Sequence, residues 1–284
     1  MKQRLTITLV TVSALTLMGL TLFHTIFILP ADRQVYSLSN QESQVSLHCY
    51  QNPQAPALDK EGQLNVLVWN IYKQNRPSWQ SALREFSDNK QLVLLQEASM
   101  GEAFKQYIEQ ARWFGTQVDA FKVFDTSAGV LNLTLGAPRL ACAYTELEPW
   151  LRLPKSALYA RYPLSDGREL AVVNIHAVNF TYGTQEYLRQ IDTLVTELRK
   201  HQGPMLVAGD FNSWSDERMT VMRQALSGLA LNAVTFTPDN RTQFLTGLQL
   251  DHIFYRGLTL KTAEAPHSDA SDHNPMLASF TLKK

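Results

Sequence analysis

Cysteine occurs only twice in the 284 residues, at Cys49 and Cys142, and no clustered Cys or His spacing suited to structural zinc is present. Two cysteines leave two readings open. In an oxidising compartment a Cys49–Cys142 bond is expected to staple the N-terminal segment to the folded region; in a reducing one both remain unpaired thiols. Charge excess is also missing, because Lys+Arg and Asp+Glu number 26 each. The chain offers no basic face to a polyanion, so a phosphate group has to be drawn in locally, by a metal or a few basic side chains. There is no basic run, internal repeat or low-complexity tract. The last absence is local: Leu5 to Leu29 contains no Asp, Glu, Lys or Arg.

That uncharged run would reach roughly 37 Å as a helix, more than the hydrocarbon thickness of about 30 Å. It reads as a membrane anchor, with His24 weakening the span only slightly. Lys2 and Arg4 precede it, while Asp32 and Arg33 cancel after it. This bias keeps the N-terminus cytoplasmic and sends the rest across. A cleaved signal peptide is the alternative, although no small-x-small site stands before Pro30. Residues 1–29 are thus the anchor. Residues 30–63, rich in Gln, Ser, Asn and Pro without a sustained period, read as a tether laid partly against the domain formed by 64–284.

The domain is organised around Pro204 to Asn212, a short apolar run that ends in Gly209 and then presents Asp210 and Asn212 two residues apart. In extended geometry both would lie on one side of a buried strand that opens into a polar site. Similar runs recur: Leu64 to Trp69 ends at Asn70, Leu92 to Leu95 at Gln96-Glu97, and Glu169 to Val178 carries Asn174 and His176. The pattern predicts helices opened by Asn75 and Pro77, over 101–113, over 185–200, and from Ser215 or Asp216 to Leu226. Further strands are predicted around 121–124, 130–135, 140–144, 151–162, 248–255, 258–263 and 276–282. Helices alternating with strands early, then hairpins, indicate a mixed α/β sandwich in one domain.

Polar residues placed directly after apolar strands converge on one edge of a sheet. Asn70, Glu97, His176 and Asp210 do so here, with Asp251 and the Asp272-His273 pair following. Carboxylates and amides are hard oxygen ligands that suit Mg²⁺ or Mn²⁺. A metal at Glu97 would polarise a phosphoryl oxygen, and a carboxylate paired with an amide would aim a water. His252 should point away from Asp251 and is read as structural; His48, His201 and His267 are read as surface residues. Lys155 and Arg152 stand opposite His176, either as phosphate binders or on a solvated strand edge.

Six ordered motifs carry a resemblance. Val-Trp-Asn-Ile at 68–71, Gln96-Glu97, Asn174-Ile175-His176, Gly209-Asp210-Phe211-Asn212, Leu250-Asp251-His252-Ile253 and Ser271 to Pro275 together resemble the endonuclease/exonuclease/phosphatase, or DNase I-like, superfamily. The segments 68–74, 154–158 and 174–180 are similar to its YafD-like bacterial subgroup. The resemblance implies a four-layer αββα sandwich and a Mg²⁺- or Mn²⁺-dependent hydrolase of phosphoric esters. It implies metal binding by Glu97, Asn70 and Asp272. Asp210 and Asn212 would orient water and bind phosphate, His273 with Asp251 would stabilise the pentacovalent phosphate, and His176 would complete the catalytic set. Asn179 and Lys155 are expected to contact substrate, either nucleic acid or phospholipid. The chain is expected to act as a monomer in a bacterial inner membrane with its domain periplasmic, the alternative being cytoplasmic. A binding module with an inactive site is the reading from outside the enzyme class.

Overall fold

The computed structural model describes residues 2–39 and 42–283. An apolar helix, α1 (Lys2–Ile26), runs without a linker into β1 (Phe27–Ile28), and β2 (Gln34–Ser39), β3 (Glu42–Leu47) and β4 (Cys49–Gln51) follow. Next come β5 (Gln63–Asn70), α2 (Trp79–Ser87), β6 (Leu92–Ser99) and α3 (Glu102–Gln110). Five strands succeed them: β7 (Phe114–Val123), β8 (Thr126–Thr134), β9 (Leu140–Leu147), β10 (Pro154–Pro163) and β11 (Glu169–His176). The chain closes with α4 (Gln185–Arg199), β12 (Met205–Asp210), α5 (Asp216–Ser227), β13 (Asn232–Ala233), β14 (Asp251–Arg256), β15 (Leu258–Glu264) and β16 (Met276–Leu282).

Two sheets form. One has the order β15-β16-β5-β6-β8-β7-β2-β3, with β1 also on β7; the other is β13-β14-β12-β11-β10-β9-β4. Period-two alternation decides which side chains meet. Val66 and Val68 of β5, Leu92 and Leu94 of β6, Leu170 and Val172 of β11, and Leu206 and Ala208 of β12 fill the space between the sheets. Their neighbours point outward: Leu67, Trp69, Val93 and Leu95 pack on α2 and α3, and Val173, Ile175 and Val207 on α4 and α5. In α4 the buried Ile191, Leu194, Val195 and Leu198 form the stripe that covers the second sheet. The Ser215 hydroxyl caps α5 by accepting the Arg218 N–H at 3.3 Å. The result is the four-layer αββα sandwich.

Residues 30–63, expected to be a tether, contribute strands to both sheets. β2 pairs antiparallel with β7, and β4 with β9. Cys49 lies directly opposite Cys142 in that second pairing, and the two are joined by a disulfide. The strand period of β2 is hidden from hydropathy because its buried positions are Val35 and Ser37, a serine where an apolar residue would signal a strand.

Over Ile7–Ile26 the helix α1 has a mean hydropathy of 1.7 and none of it is buried, so it is long and apolar enough to cross a membrane.

Asp119, on β7, is 4% exposed and accepts a 2.7 Å hydrogen bond from Gln117 Nε2. Burial pushes its carboxyl up to about 6. The unfolded chain releases this proton near 3.8, so stability declines as pH rises from there to about 6 and stays lower above. D119N removes the buried charge and is expected to gain about 1–3 kcal/mol at neutral pH. Urea denaturation at pH 7.5 and pH 4 checks this; a gain of equal size at both would sink the explanation.

Candidate active site

The inner-face register that fills the core runs on, in four strands, to a polar residue at one edge of the sandwich. Asn70 follows Val66 and Val68, His176 follows Leu170 and Val172, Asp210 follows Leu206 and Ala208, and Asp251 precedes Ile253. In the second sheet His176 pairs with Asp210, and Asp210 with Asp251, which sets three ionisable side chains in a row across β11, β12 and β14. Asn70 reaches them from the first sheet, its Nδ2 donating to Asp210 Oδ2 at 3.0 Å.

An amide floor separates this charged layer from the apolar core. Asn174 Nδ2 donates to Asn132 Oδ1 at 2.9 Å and to the carbonyls of Leu95 and Leu131, while its Oδ1 accepts from Gln96 Nε2 at 2.7 Å. These bonds cross between the sheets and fix their spacing below the site. Gly209 is needed for close approach: its φ is +138°, and a Cβ there would lie 2.1 Å from the Ile175 carbonyl oxygen.

Asp210 is 1% exposed. Its Oδ1 accepts the Asn212 N–H at 2.9 Å, and its Oδ2 lies 3.5 Å from His176 Nε2 and 4.0 Å from His273 Nε2. Asn212 is not extended as the sequence pattern suggested. It adopts φ 47°, because β12 ends at Asp210 and the chain turns; its Nδ2 donates to the Ala177 carbonyl at 2.9 Å. The pair therefore meets through backbone capping of the carboxylate.

His273 Nδ1 bonds Asp251 Oδ2 at 2.7 Å. Burial alone would discharge the imidazole, but the charge and hydrogen bond of Asp251, aided by Asp210 and Asp272, raise it to about 10. His273 is an imidazolium at neutral pH. His176 is its opposite: burial first, then the neighbouring Lys155 charge, lower it to about 3, so it is neutral. Its Nε2 accepts from Lys155 Nζ at 3.0 Å, which places the ring proton on Nδ1.

Glu97 sits at the bulge that breaks the β6–β8 register between Leu95 and Ala98, with φ 53°. The bulge turns an interior strand position toward the edge. Burial acts to raise its carboxyl, yet the positive surroundings hold it below the usual carboxylate range. With His176 neutral, those charges are Lys73, ion-paired with Glu97 Oε2, and Lys155. Tyr72, Lys73 and Gln74 all have positive φ, from 49° to 56°, a tight left-handed turn that brings Lys73 back over the strand end.

The remaining predicted residues divide. Asn179 is near the site, its N–H bonded to Glu148 Oε1 at 2.6 Å and its Oδ1 accepting from Trp214 Nε1 at 2.8 Å. Asp272 is exposed; Ser271 Oγ donates to the Asn70 carbonyl at 2.7 Å and lies 3.3 Å from Asp272 Oδ1. Arg152 is exposed on the loop before β10. His252 points to the helix side of its sheet and bonds Ser213 Oγ at 2.8 Å. His201 departs from expectation: half-buried, its Nε2 lies 3.0 Å and 3.1 Å from the Glu169 and Pro204 carbonyls, where α4 turns into β12.

Two further charged side chains at this edge, Lys73 and Glu148, were not anticipated from the sequence. Lys73 depends on a turn of non-glycine residues that no composition rule announces. Glu148 is 1% exposed, 4.0 Å from Lys155 and bonded to Asn179, and nothing in its surroundings in sequence marks it as buried.

Among the described residues, Asp210, Asp251 and His273 hold donor atoms within 4.8 Å of one another, the dimensions of a cation site. His273 Nδ1 is taken by Asp251 Oδ2, which leaves Nε2 as the ring atom that faces Asp210. Glu97 and Asn70 add hard oxygen donors at the same edge, and Glu97 is already held ionised by a cation, Lys73. The donor set fits a divalent ion such as Mg²⁺ or Mn²⁺.

A two-sheet sandwich with carboxylates, amides and two differently charged imidazoles at one edge defines the class of phosphoester hydrolases to which the comparisons lead. The pattern of the Endonuclease/Exonuclease/phosphatase family matches residues 67–273, and the chain belongs to that family. A UPF0294 protein of Vibrio cholerae is 58% identical over 264 residues, covering 93% of this chain and 94% of the relative. Among solved structures, the human Nocturnin catalytic domain with bound sulfate anion superimposes with a TM-score of 0.61 at 18% identity, over 81% of this chain and 97% of that one. TDP2 of D. rerio, complexed with a single-strand DNA product, gives 0.57 at 16% identity, over 78% and 100%.

Proposed function

We propose that this chain is a divalent-metal-dependent phosphoesterase that hydrolyses a phosphodiester by in-line attack of water. The observation that carries the reading is the row Asn70, His176, Asp210 and Asp251–His273 on one inner register, with its protonation states divided between neutral His176 and charged His273. Glu97 and Asn70, with Asp272 beside the Ser271 that bonds the Asn70 carbonyl, would hold the metal. When bound, the metal supplies Lewis-acid polarisation of the phosphoryl oxygens.

Asp210 Oδ2 takes the proton of the attacking water, its orientation fixed by Asn70 and by the Asn212 N–H on its other oxygen. His273, charged and held by Asp251, stabilises the negative charge that grows on the pentacovalent phosphate. Lys155 and Asn179 would bind the non-bridging oxygens and the flanking group. The Cys49–Cys142 bond supports a domain lying in an oxidising compartment, the periplasmic side of the inner membrane, with α1 as its anchor.

The test is hydrolysis of bis(p-nitrophenyl) phosphate by the full chain in detergent micelles with Mg²⁺ or Mn²⁺. Turnover that EDTA abolishes and either ion restores is expected. Turnover indifferent to chelation would sink the metal part of the reading, and none with either ion would sink the whole.

A further inference from the structure

Strand directions fix which end of the sandwich carries α1. β7 runs toward the active-site edge, since its partner β8 enters from that edge and pairs there with Ala98 and Ser99 of β6, just past Glu97. β1 is antiparallel to β7, with Phe27 opposite Val123 and Ile28 opposite Lys122. The Phe124 N–H donates to the Ile26 carbonyl at 2.8 Å. The apolar helix therefore meets the domain at the active-site edge, with no residue between helix and sheet to let it swing away. Phe27 also packs on Phe121 with ring centroids 6.0 Å apart, and Phe121 lines a cavity of about 40 Å³ shared with Glu97, Lys73, Lys155 and His176.

The same edge is apolar where it faces out. Phe124 at the β7–β8 tip, Trp150 and Leu151 in the β9–β10 loop, Phe180 and Tyr182 after β11, and Leu245 before β14 are all exposed, Tyr182 at 76% and Leu245 at 98%. Trp150 and Tyr182 pair with centroids 4.8 Å apart. A soluble surface seldom gathers so many large apolar side chains around one site, and aromatic residues favour the membrane–water interface.

We infer that the active-site edge is seated on the bilayer from which α1 emerges, and that the ester it cleaves is the phosphate-ester headgroup of a membrane lipid. This rests on α1 as a membrane span and on the phosphoesterase reading above. Water adds to the lipid phosphorus, one ester P–O bond breaks, and the proton taken from the water is returned to the departing oxygen. A headgroup phosphate sits at the depth of the aromatic rim, whereas a polymer would have to enter between the rim and the membrane.

The two cysteines are joined, so an introduced cysteine is the one free thiol of the described chain. F124C, L245C and, at the opposite end of β8, L135C are each labelled with an environment-sensitive fluorophore. The full chain is then reconstituted in phosphatidylcholine/phosphatidylglycerol vesicles with nitroxide lipids. Labels at 124 and 245 are expected to lose most of their emission and the label at 135 to keep it. Three equal responses would overturn the docking. With the same vesicles, W150S/L245S is expected to slow lipid headgroup release by about tenfold while leaving bis(p-nitrophenyl) phosphate hydrolysis unchanged. Cleavage of plasmid DNA but not of vesicle lipid would overturn the substrate class with the phosphoesterase intact. Loss of turnover on every ester would fall on the phosphoesterase reading, and the quenching would still decide the docking.

Discussion

D210N is expected to lower kcat on a soluble phosphodiester by about 10³-fold with little change in KM. Asparagine keeps the shape of the side chain and an oxygen for the Asn212 N–H, now 2.9 Å from Asp210 Oδ1. It removes the capacity to accept a proton from water. The neighbours of Asp210 stay in place: the Asn70 amide donates to it at 3.0 Å, and the neutral His176 lies 3.5 Å away. Because His176 is neutral it cannot supply a charge to compensate, and with a lowered pKa it is a weak substitute base. Thermal unfolding measured beside the kinetics separates chemistry from folding. A variant that melts with the parent and keeps its kcat would remove Asp210 from the role of base.

D251N is expected to cost about 10²-fold in kcat at pH 8 and to change how stability depends on pH. His273 is 9% exposed and is charged because Asp251 overcomes the burial that would discharge it. With asparagine at 251 the imidazole loses its proton at a lower pH, and the phosphate loses its charged partner. The linkage has a definite sign. A histidine raised from 6.5 to about 10 contributes stability that is complete below pH 6.5 and is lost as pH rises toward 10. The advantage of the parent over D251N in urea denaturation should be on the order of a few kcal/mol in mild acid and shrink toward pH 10. An advantage that is flat across this range would mean that the pair is held together by shape and not by charge.

The residues that sequence reading located share one property. Asn70, His176, Asp210 and Asp251 each abut a short apolar run that is visible in the sequence, and the register that packs the core also points at the site. Glu97 was found for a partly mistaken reason. It does not end its strand; β6 continues to Ser99, and a bulge with positive φ redirects the side chain. A bulge leaves no mark in hydropathy. Lys73 and Glu148 were invisible because each is held at this edge by partners far along the chain, Lys73 by Glu97 and Glu148 by Asn179. Helices came out closely: Gln185–Arg199 and Asp216–Ser227 differ from the predicted spans by a residue or so at each end. The N-terminal strands were missed because β2 buries Ser37 beside Val35, and β4 is three residues long with no buried position, held by a bond that composition alone does not require.

The passage of residues 30–63 through both sheets bears on how the domain would behave once separated from α1. A fragment that begins at residue 64 gives up β2 from the flank of β7 and β4 from the flank of β9. Each loss bares a row of unpaired N–H and C=O groups, with Val118 uncovered on one strand and Cys142 left as a lone thiol on the other. Open strand edges and an unpaired thiol are templates for self-association, by β-pairing and by intermolecular bonding. A soluble form that stays dispersed has to begin ahead of Gln34, so that the N-terminal segment continues to close both sheets.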